Sequence, residues 1–340
     1  MNGDRWVTIL LFLVAIAVLG ALVWVAGVEE TLAALGRARP SLVAVIVALT
    51  AVWLVAWGLS LYVVLGALGA PVSAPRAVLV FTAAMFSNNI TPFGQAGGEP
   101  VSALLISEAA DSEYETGLAA IASVDTLHFV PSIGMALIGI GLFGLEAVRD
   151  VYLSVTILAG LFVFVIGVAV LVYHYHHRIE RALTTVATPI VRTISRVIPG
   201  LTPPGSQAIH SRIRGFFESI DRIGTDRRAL ALAGGFSTVG WFVLGTALWT
   251  AAISVGESIP LAAALIAVPI GSIAGATPFP GGSGAIETAF AAILVSLTAV
   301  SNGGAVATVL VYRLATYWLP TIVGGLVAAR LGAESVRGES

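Results

Sequence analysis

The sequence predicts an all-α polytopic membrane protein, with about six full spans and two re-entrant helical hairpins arranged as an inverted repeat. The first observation is composition: of 340 residues, 57% are apolar and only 11% are charged, and the mean hydropathy is +0.96. Soluble domains carry about 25% charged residues, so this chain cannot cover a water-exposed surface of its size. The other two observations are a series of long apolar runs and a similarity between the two runs that are interrupted.

Six uninterrupted apolar runs are each long enough to cross about 30 Å of hydrocarbon. They are 6–27, 41–70, 117–145, 151–173, 229–254 and 305–329. The first exceeds the apolar core of a signal peptide, so we interpret it as a retained helix. Two further runs, 77–106 and 261–300, are broken near their centres by prolines and glycines. Because proline ends a helix and glycine permits the chain to reverse, each broken run is predicted to form a hairpin.

The arginines indicate the orientation, because cytoplasmic loops of membrane proteins are enriched in basic residues. Segment 174–228 holds nine of the 17 basic residues, all of which are arginine. We therefore expect an integral protein of the cell membrane whose N- and C-termini lie in the cytoplasm. We expect one transmembrane domain over 1–340, with repeat halves at about 1–145 and 151–330. Amphipathic spacing in 174–228 predicts helices on the inner leaflet, with a solvated cytoplasmic linker as the alternative.

The two broken runs share a motif. The first contains Thr-Pro-Phe at 91–93, then glycines and Glu99, and the second contains Thr-Pro-Phe at 277–279, then glycines and Glu287. The predicted order of two spans, a hairpin and a span occurs in both halves, which is the plan of many transporters. Broken backbone in a membrane must be buried in protein or line a wet cavity. Helix N-termini after the breaks favour a phosphate or carboxylate there. The alternative is a pair of kinks that only shape the bundle.

Ionisable residues inside the apolar runs are the main site candidates, because charge in a membrane is costly. Arg313 needs an internal partner, for which Glu99, Glu287 and Asp125 are candidates, or an anionic headgroup. Glu99 and Glu287 are also expected to cap the helices after the breaks. Asp125 and His128 share a helical face, as either a proton relay or a mutually satisfied pair. The predicted substrate-binding residues are Asn88, Asn89, Thr91, Gly97, Gly98, Glu99, Asp125, His128, Gly281, Gly282, Gly284, Glu287 and Arg313.

Several functional classes lack their signature residues. The chain contains no cysteine, which excludes disulfides, thiol chemistry and zinc–thiolate sites. It contains no phosphate-binding P-loop, zinc motif or hydrolase nucleophile elbow. The net charge of −2 gives no indication of a nucleic-acid partner. We therefore expect no enzyme activity, no metal and no cofactor.

Three stretches together resemble a known family. They are residues 88–92 with 97–99, residues 278–284 with Glu287, and residues 312–314 with Pro320 and Gly324. The chain resembles the flippase-like integral membrane family that includes the transmembrane half of lysylphosphatidylglycerol synthases, the multiple peptide resistance factor proteins. The resemblance covers nearly the whole chain. It implies a helical bundle with two re-entrant hairpins that moves lipids between leaflets, such as aminoacylated phosphatidylglycerol, or works beside enzymes of polyprenyl-linked glycan assembly.

The chain departs from that family in two ways. It ends at Ser340 without a soluble aminoacyl-transferase domain, so we expect it not to be a complete synthase. Ser102 and His128 stand where relatives often carry arginine, which leaves Arg313 more isolated. The hypothesis is a flippase or scramblase for a phospholipid or a polyprenyl-phosphate-linked glycolipid, with membrane lipids as its partners. The alternatives are a proton-coupled transporter of a small solute and a non-transporting partner of a lipid-modifying or glycosyltransferase enzyme.

Overall fold

The described part of the chain is helical throughout. The structure is a computed structural model that describes residues 16–91, 94–147 and 222–338, and these residues contain no strand. The helices are α1 (Ile16–Ala26), α2 (Val28–Gly36), α3 (Pro40–Ala67), α4 (Ala74–Ile90), α5 (Gln95–Ala110), α6 (Tyr114–Ala147), α7 (Arg227–Ser254), α8 (Leu261–Ser272), α9 (Ala285–Leu297), α10 (Asn302–Arg313) and α11 (Leu319–Gly338). The start of the first span, the span 151–173, most of the basic segment 174–228, and Pro92 with Phe93 lie outside the described residues.

Five stretches of the described chain are long and apolar enough to cross a membrane. They are Pro40–Ala67, Tyr114–Phe143, Arg227–Ser254, Pro280–Leu297 and Asn302–Leu331. The bent pair α1 and α2 makes a sixth if it counts as one span. The prediction of an all-helical protein with several membrane spans is therefore confirmed.

Local chemistry accounts for the ends of these helices. Pro40 occupies the first turn of α3, where its missing N–H costs nothing. The Asp226 side chain accepts hydrogen bonds from the backbone N–H groups of Arg228 and Ala229 and so caps α7. Thr91 has extended backbone angles (φ −91°, ψ 145°), as expected for the residue before a proline, and α4 ends there.

The described part of the first run ends at Gly27, as the sequence predicts, but a second, short helix that was not predicted follows it directly. Gly27 has a φ of +96°, and the chain bends by 94° between α1 and α2. Helix α2 then packs on α10, where Gly303 lies against the side chain of Glu30. Helix α2 has nine residues, with two glutamates in its first turn, so the hydropathy of the sequence does not indicate it as a separate helix. Its course therefore depends on the contact with α10.

Both broken runs are interrupted where the sequence predicts. Helices α4 and α5 pack on each other across the first break, where the Ser102 hydroxyl lies 3.5 Å from both Ala84 O and Asn88 Oδ1. Helices α8 and α9 pack on each other across the second break. The breaks also meet: a Cβ on Gly94 would lie 3.1 Å from the carbonyl oxygen of Gly275.

The core lies between α3, α6 and α7. Trp57 of α3 donates a hydrogen bond to the carbonyl of Ser237 (3.2 Å), and Gly240 leaves room for its indole ring. Phe129 of α6 and Leu326 of α11 point outward with 66% and 65% of their surface exposed. Exposed apolar residues on helices that are apolar all round are expected where lipid replaces water. The last helix is continuous: a π-helical turn, Leu314–Trp318, joins α10 to α11, which packs on α4.

Candidate functional site

The second break is built on glycines in the left-handed region. Gly281, Gly282 and Gly284 have φ values of +55°, +64° and +86°, which residues with a side chain rarely adopt. All three are buried. Gly284 is the N-cap of α9, and its N–H donates to Glu287 Oε2 at 2.6 Å. The predicted capping role of Glu287 is therefore confirmed.

Glu287 also forms a buried ion pair with Arg313. The Arg313 Nε atom donates to Glu287 Oε1 at 2.7 Å, and the two side chains are 14% and 6% exposed respectively. Arg313 closes α10, within the candidate span Asn302–Leu331. Of the three carboxylates proposed as its partner, Glu287 is the one that pairs with it. The predicted need of Arg313 for an internal partner is therefore confirmed, and α9 supplies that partner.

Two more groups hold the guanidinium in place. Its Nη2 atom donates to the carbonyl oxygen of Gly281 at 3.2 Å. Its central carbon lies 4.7 Å from the centre of the Tyr317 ring, a cation–π distance. Tyr317 follows Arg313 by four residues in the π-helical turn. The backbone of the break, the carboxylate and the ring therefore fix Arg313 at the junction of α9 and α10.

Asn89 of the first break contacts the same π-helical turn. Its Nδ2 atom donates to the Tyr317 carbonyl (3.3 Å) and to the Thr321 hydroxyl (2.8 Å). The Tyr317 hydroxyl donates to the carbonyl of Asn89 at 3.1 Å. Gly281 completes the contact, since a Cβ there would lie 2.5 Å from the Tyr317 ring and 3.0 Å from Asn89 O. Predicted residues from both breaks and the last span are thus brought together.

The remaining predicted residues of the first break hold its helices close. A Cβ on Gly98 would lie 2.7 Å from the backbone of Asn88, so only glycine fits there. The Gly98 carbonyl accepts from the Ser87 hydroxyl (3.3 Å). The Thr91 hydroxyl donates to Ser87 O (2.8 Å) and closes the end of α4. Gly97 lies half-buried beside them. These contacts build the break itself rather than the ion-pair site.

Glu99 does not cap α5, so that part of the prediction is wrong. Helix α5 begins after Gly94, which places Glu99 beyond the first turn, and no side chain caps its N-terminus. Glu99 instead lies near Asp125 of α6, close enough for their charges to interact. The side chain of Gln95 also lies near the same Asp125 carboxyl group.

Asp125 and His128 lie apart from the ion pair and form no hydrogen bond with each other in the described contacts. Asp125 Oδ2 and His128 Nε2 are both buried without a hydrogen-bond partner. The His128 ring stacks on Trp57 with a centroid distance of 3.9 Å, and its carbonyl accepts from Trp241 Nε1 at 2.9 Å. The interpretation as a mutually satisfied pair is therefore not supported.

Three residues of the site region were missed by the sequence analysis: Gln95, Tyr317 and Thr321. The spacing of Arg313, Tyr317 and Thr321 at intervals of four, on one face of a helix, was the available signal for two of them. Gln95 had no such signal, because its contact is with another helix. In the described residues, no group of three histidine, aspartate or glutamate side chains is arranged to hold a metal ion.

Comparisons with known proteins agree with the resemblance inferred from the motifs. The family model "Lysylphosphatidylglycerol synthase TM region" matches residues 12–324. A UPF0104 membrane protein of Methanothermobacter thermautotrophicus is 28% identical over 98% of this chain and 96% of its own length. A UPF0104 membrane protein of Pyrococcus horikoshii is 23% identical over 94% of this chain and 96% of its own length. The protein is therefore an integral membrane protein, and the predicted family resemblance is confirmed over nearly the whole chain.

Proposed function

Because this chain belongs to the lysylphosphatidylglycerol synthase transmembrane-region family, we propose that it is a lipid flippase or scramblase. Its substrate in this proposal is a phospholipid or a polyprenyl-phosphate-linked glycolipid. The headgroup crosses through the protein while the tails stay in the bilayer. The observation that carries the proposal is the buried Glu287–Arg313 ion pair, which lies where the two helix breaks meet.

A buried ion pair contributes little net free energy to the stability of a fold. Removing two charges from water costs several kcal/mol per ion by general estimates, and apolar side chains of similar volume often serve the fold as well. Inside a membrane span, ionisable residues typically mark the path of a substrate or ion. Arg313 is suited to a phosphate because its guanidinium presents a fork of N–H donors.

The second carboxylate oxygen of Glu287 makes an exchange of partners feasible. Oε2 accepts from the N–H of Gly284 while Oε1 accepts from Arg313. If a lipid phosphate takes Arg313, Glu287 keeps its hydrogen bond at the N-terminus of α9, where the helix dipole favours a negative charge. In our proposal, the ion pair is the resting state and the phosphate is the competitor that opens it.

Helix lengths support the re-entrant arrangement as part of this proposal. Helices α4 and α5 have 17 and 16 residues, or about 25 Å each at 1.5 Å per residue, against about 30 Å of hydrocarbon. Helices α8 and α9 have 12 and 13 residues, and the candidate span Pro280–Leu297 reaches 18 residues only by including the turn before α9. We place α4–α5 as a hairpin from the cytoplasmic side and α8–α9 as a hairpin from the other side, in an inverted repeat with cytoplasmic termini.

The test is headgroup movement in proteoliposomes. Labelled phosphatidylglycerol, its aminoacyl form and a polyprenyl-phosphate sugar are each reconstituted with the wild-type protein or a variant. The double variant Arg313→Gln/Glu287→Gln removes both charges, so no unpaired ion remains buried. We expect its flipping rate to fall about tenfold or more, since a hydrogen bond to a charged group contributes about 1.5–3 kcal/mol.

The matched control is Arg37→Gln. Arg37 also faces a glutamate, Glu257, but at 3.9 Å and with 54% of its side chain exposed. It should flip lipid at the wild-type rate. Equal rates in the double variant and the wild type would contradict the role of the ion pair. No movement of any lipid by the wild type would contradict the proposal and favour a small-solute transporter or a non-transporting partner of a lipid enzyme.

A further inference from the structure

The Asp125 carboxyl group is a buried acid that the ion-pair site does not use. Asp125 is 9% exposed, and its Oδ2 atom is buried without a hydrogen-bond partner among the described residues. The Gln95 side chain lies near the carboxyl group but forms no hydrogen bond with it in the described contacts. An ionised carboxylate offers about four acceptor positions, so most of them are left unsatisfied.

The groups that face Asp125 supply no positive charge. Glu99 of α5 carries a like charge when ionised, and it lies near enough to repel Asp125. His128 is the titratable group one turn along α6, and it is 6% exposed. Helices α3 and α7 contribute the rings of Trp57 and Trp241 to that turn, and α8 carries no titratable side chain. No arginine of the described ranges forms an ion pair with Asp125.

An ionised Asp125 in these surroundings lacks compensation for its lost hydration. Burying a charge is costly unless it is paired and hydrogen-bonded, and a second carboxylate nearby adds to the cost. A neutral acid, in contrast, has one donor to offer and fewer acceptors to satisfy. We infer that the buried Asp125 carboxyl group binds a proton, and that this proton is exchanged during each transport cycle. The second half of this inference rests on the proposed function.

A proton fits the site better than a metal cation. Metal cations that prefer oxygen need several ligands around them. The described residues contain no cluster of three histidine, aspartate or glutamate side chains that could supply such a set. A proton, in contrast, needs only the single carboxyl group of Asp125.

The position of Gln95 connects this proton to movement of the breaks. Gln95 is the first residue of α5 and follows Gly94, which abuts the carbonyl of Gly275 in the second break. The residue of α5 that lies near Asp125 is therefore next to the contact between the two breaks. Passage of a headgroup that separates the breaks also withdraws Gln95, admits water to Asp125 and lets the proton exchange.

Infrared spectroscopy of the purified protein tests whether the proton is bound. A protonated carboxyl group gives a C=O stretching band that shifts in deuterium oxide. We expect this band near neutral pH in the wild type and in Asp111→Asn, and its loss in Asp125→Asn. Asp111 makes a matched control because it is exposed and its φ of +48° is one that asparagine tolerates. No band in the wild type, or an unchanged band in Asp125→Asn, would overturn the proton site.

Lipid distribution under a pH gradient tests the exchange. The lipid that the wild type moves in the proteoliposome test is used as the probe. One proton exchanged per lipid supports up to about tenfold lipid asymmetry per pH unit. We expect asymmetry in the wild type and in Asp111→Asn, and equal leaflets with Asp125→Asn. Equal leaflets in the wild type, or asymmetry driven by sodium instead of protons, would overturn the exchange and leave the flippase proposal intact. A wild type that moves no lipid contradicts that proposal and the exchange, while the infrared result still decides whether the proton is bound.

Discussion

The two helix breaks begin with the same tripeptide but reach opposite electrostatic arrangements. After the second break, Glu287 lies three residues past the N-cap Gly284 and pairs with Arg313. After the first break, Glu99 lies five residues past the N-cap Gly94 and faces another acid, Asp125. One break therefore carries a balanced pair of charges, and the other carries two acids without a cation in the described contacts. Similar sequence motifs placed on the same kind of turn can thus acquire different electrostatic surroundings.

The difference follows from the partners that each break meets. The second break packs against α10 and the π-helical turn, which supply Arg313 and Tyr317. The first break packs against α6, whose facing polar side chain is Asp125. We propose that the balanced site accepts the lipid phosphate and the unbalanced site accepts the proton. The predictions below test this division of roles through stability.

The largest effect is expected from Arg313→Ala. This change leaves Glu287 buried without its cation, which typically costs about 3–5 kcal/mol of folding free energy. The double variant Arg313→Leu/Glu287→Leu removes both charges and should restore most of that loss. Unfolding in mixed micelles with increasing dodecyl sulfate gives the two free energies. A double variant as unstable as Arg313→Ala would show that packing, and not the unpaired charge, explains the loss.

An intermediate effect is expected from Gly281→Ala. The left-handed φ of +55° disfavours alanine, and its Cβ would overlap the Tyr317 ring at 2.5 Å. Strain and overpacking together should cost about 2–4 kcal/mol. Gly94→Ala is the matched change in the first break, with a similar φ of +53° but only one neighbour, Gly275 O at 3.1 Å.

The difference between these two glycine variants isolates the contact between Gly281 and Tyr317. Gly94→Ala should cost about 1–2 kcal/mol, mostly from the backbone conformation. The same micelle unfolding assay measures both variants. Equal losses would mean that the junction at Tyr317 relaxes freely and does not hold the second break in place.

The sequence was sufficient to predict the long spans of the described residues, the positions of both breaks and the need of Arg313 for an internal partner. Apolar length, proline and glycine positions, and the cost of an intramembrane charge are local properties that a sequence displays. The sequence does not identify which of Glu99, Glu287 and Asp125 is that partner, because the answer depends on which helix packs against α10. The bend at Gly27 and the contact of Asn89 with the π-helical turn were missed for the same reason.

The capping roles of the two glutamates show this limit most clearly. Each acid follows several glycines, and any of these glycines can end the turn and begin the helix. In the first break, Gly94 takes the positive φ, so Glu99 falls outside the first turn. In the second break, Gly284 is the last of three glycines with a positive φ, and α9 begins after it, so Glu287 is placed to cap. The glycine after which each helix begins depends on contacts with the other break, since Gly94 abuts Gly275 and Gly281 abuts Asn89.

The smallest effect is expected from Glu99→Gln, and it is the sharpest test of the comparison. Glu99 is half-buried, caps no helix and forms no ion pair in the described contacts, so its charge contributes little. Removing it also relieves repulsion of Asp125, and the free energy of unfolding should change by less than about 0.5 kcal/mol. Glu287→Gln, the equivalent change in the second break, should lose about 2–3 kcal/mol because Arg313 loses its charge partner. If Glu99→Gln destabilised the protein as much as Glu287→Gln, the first break would hold a cation after all, and the division between a phosphate site and a proton site would be wrong.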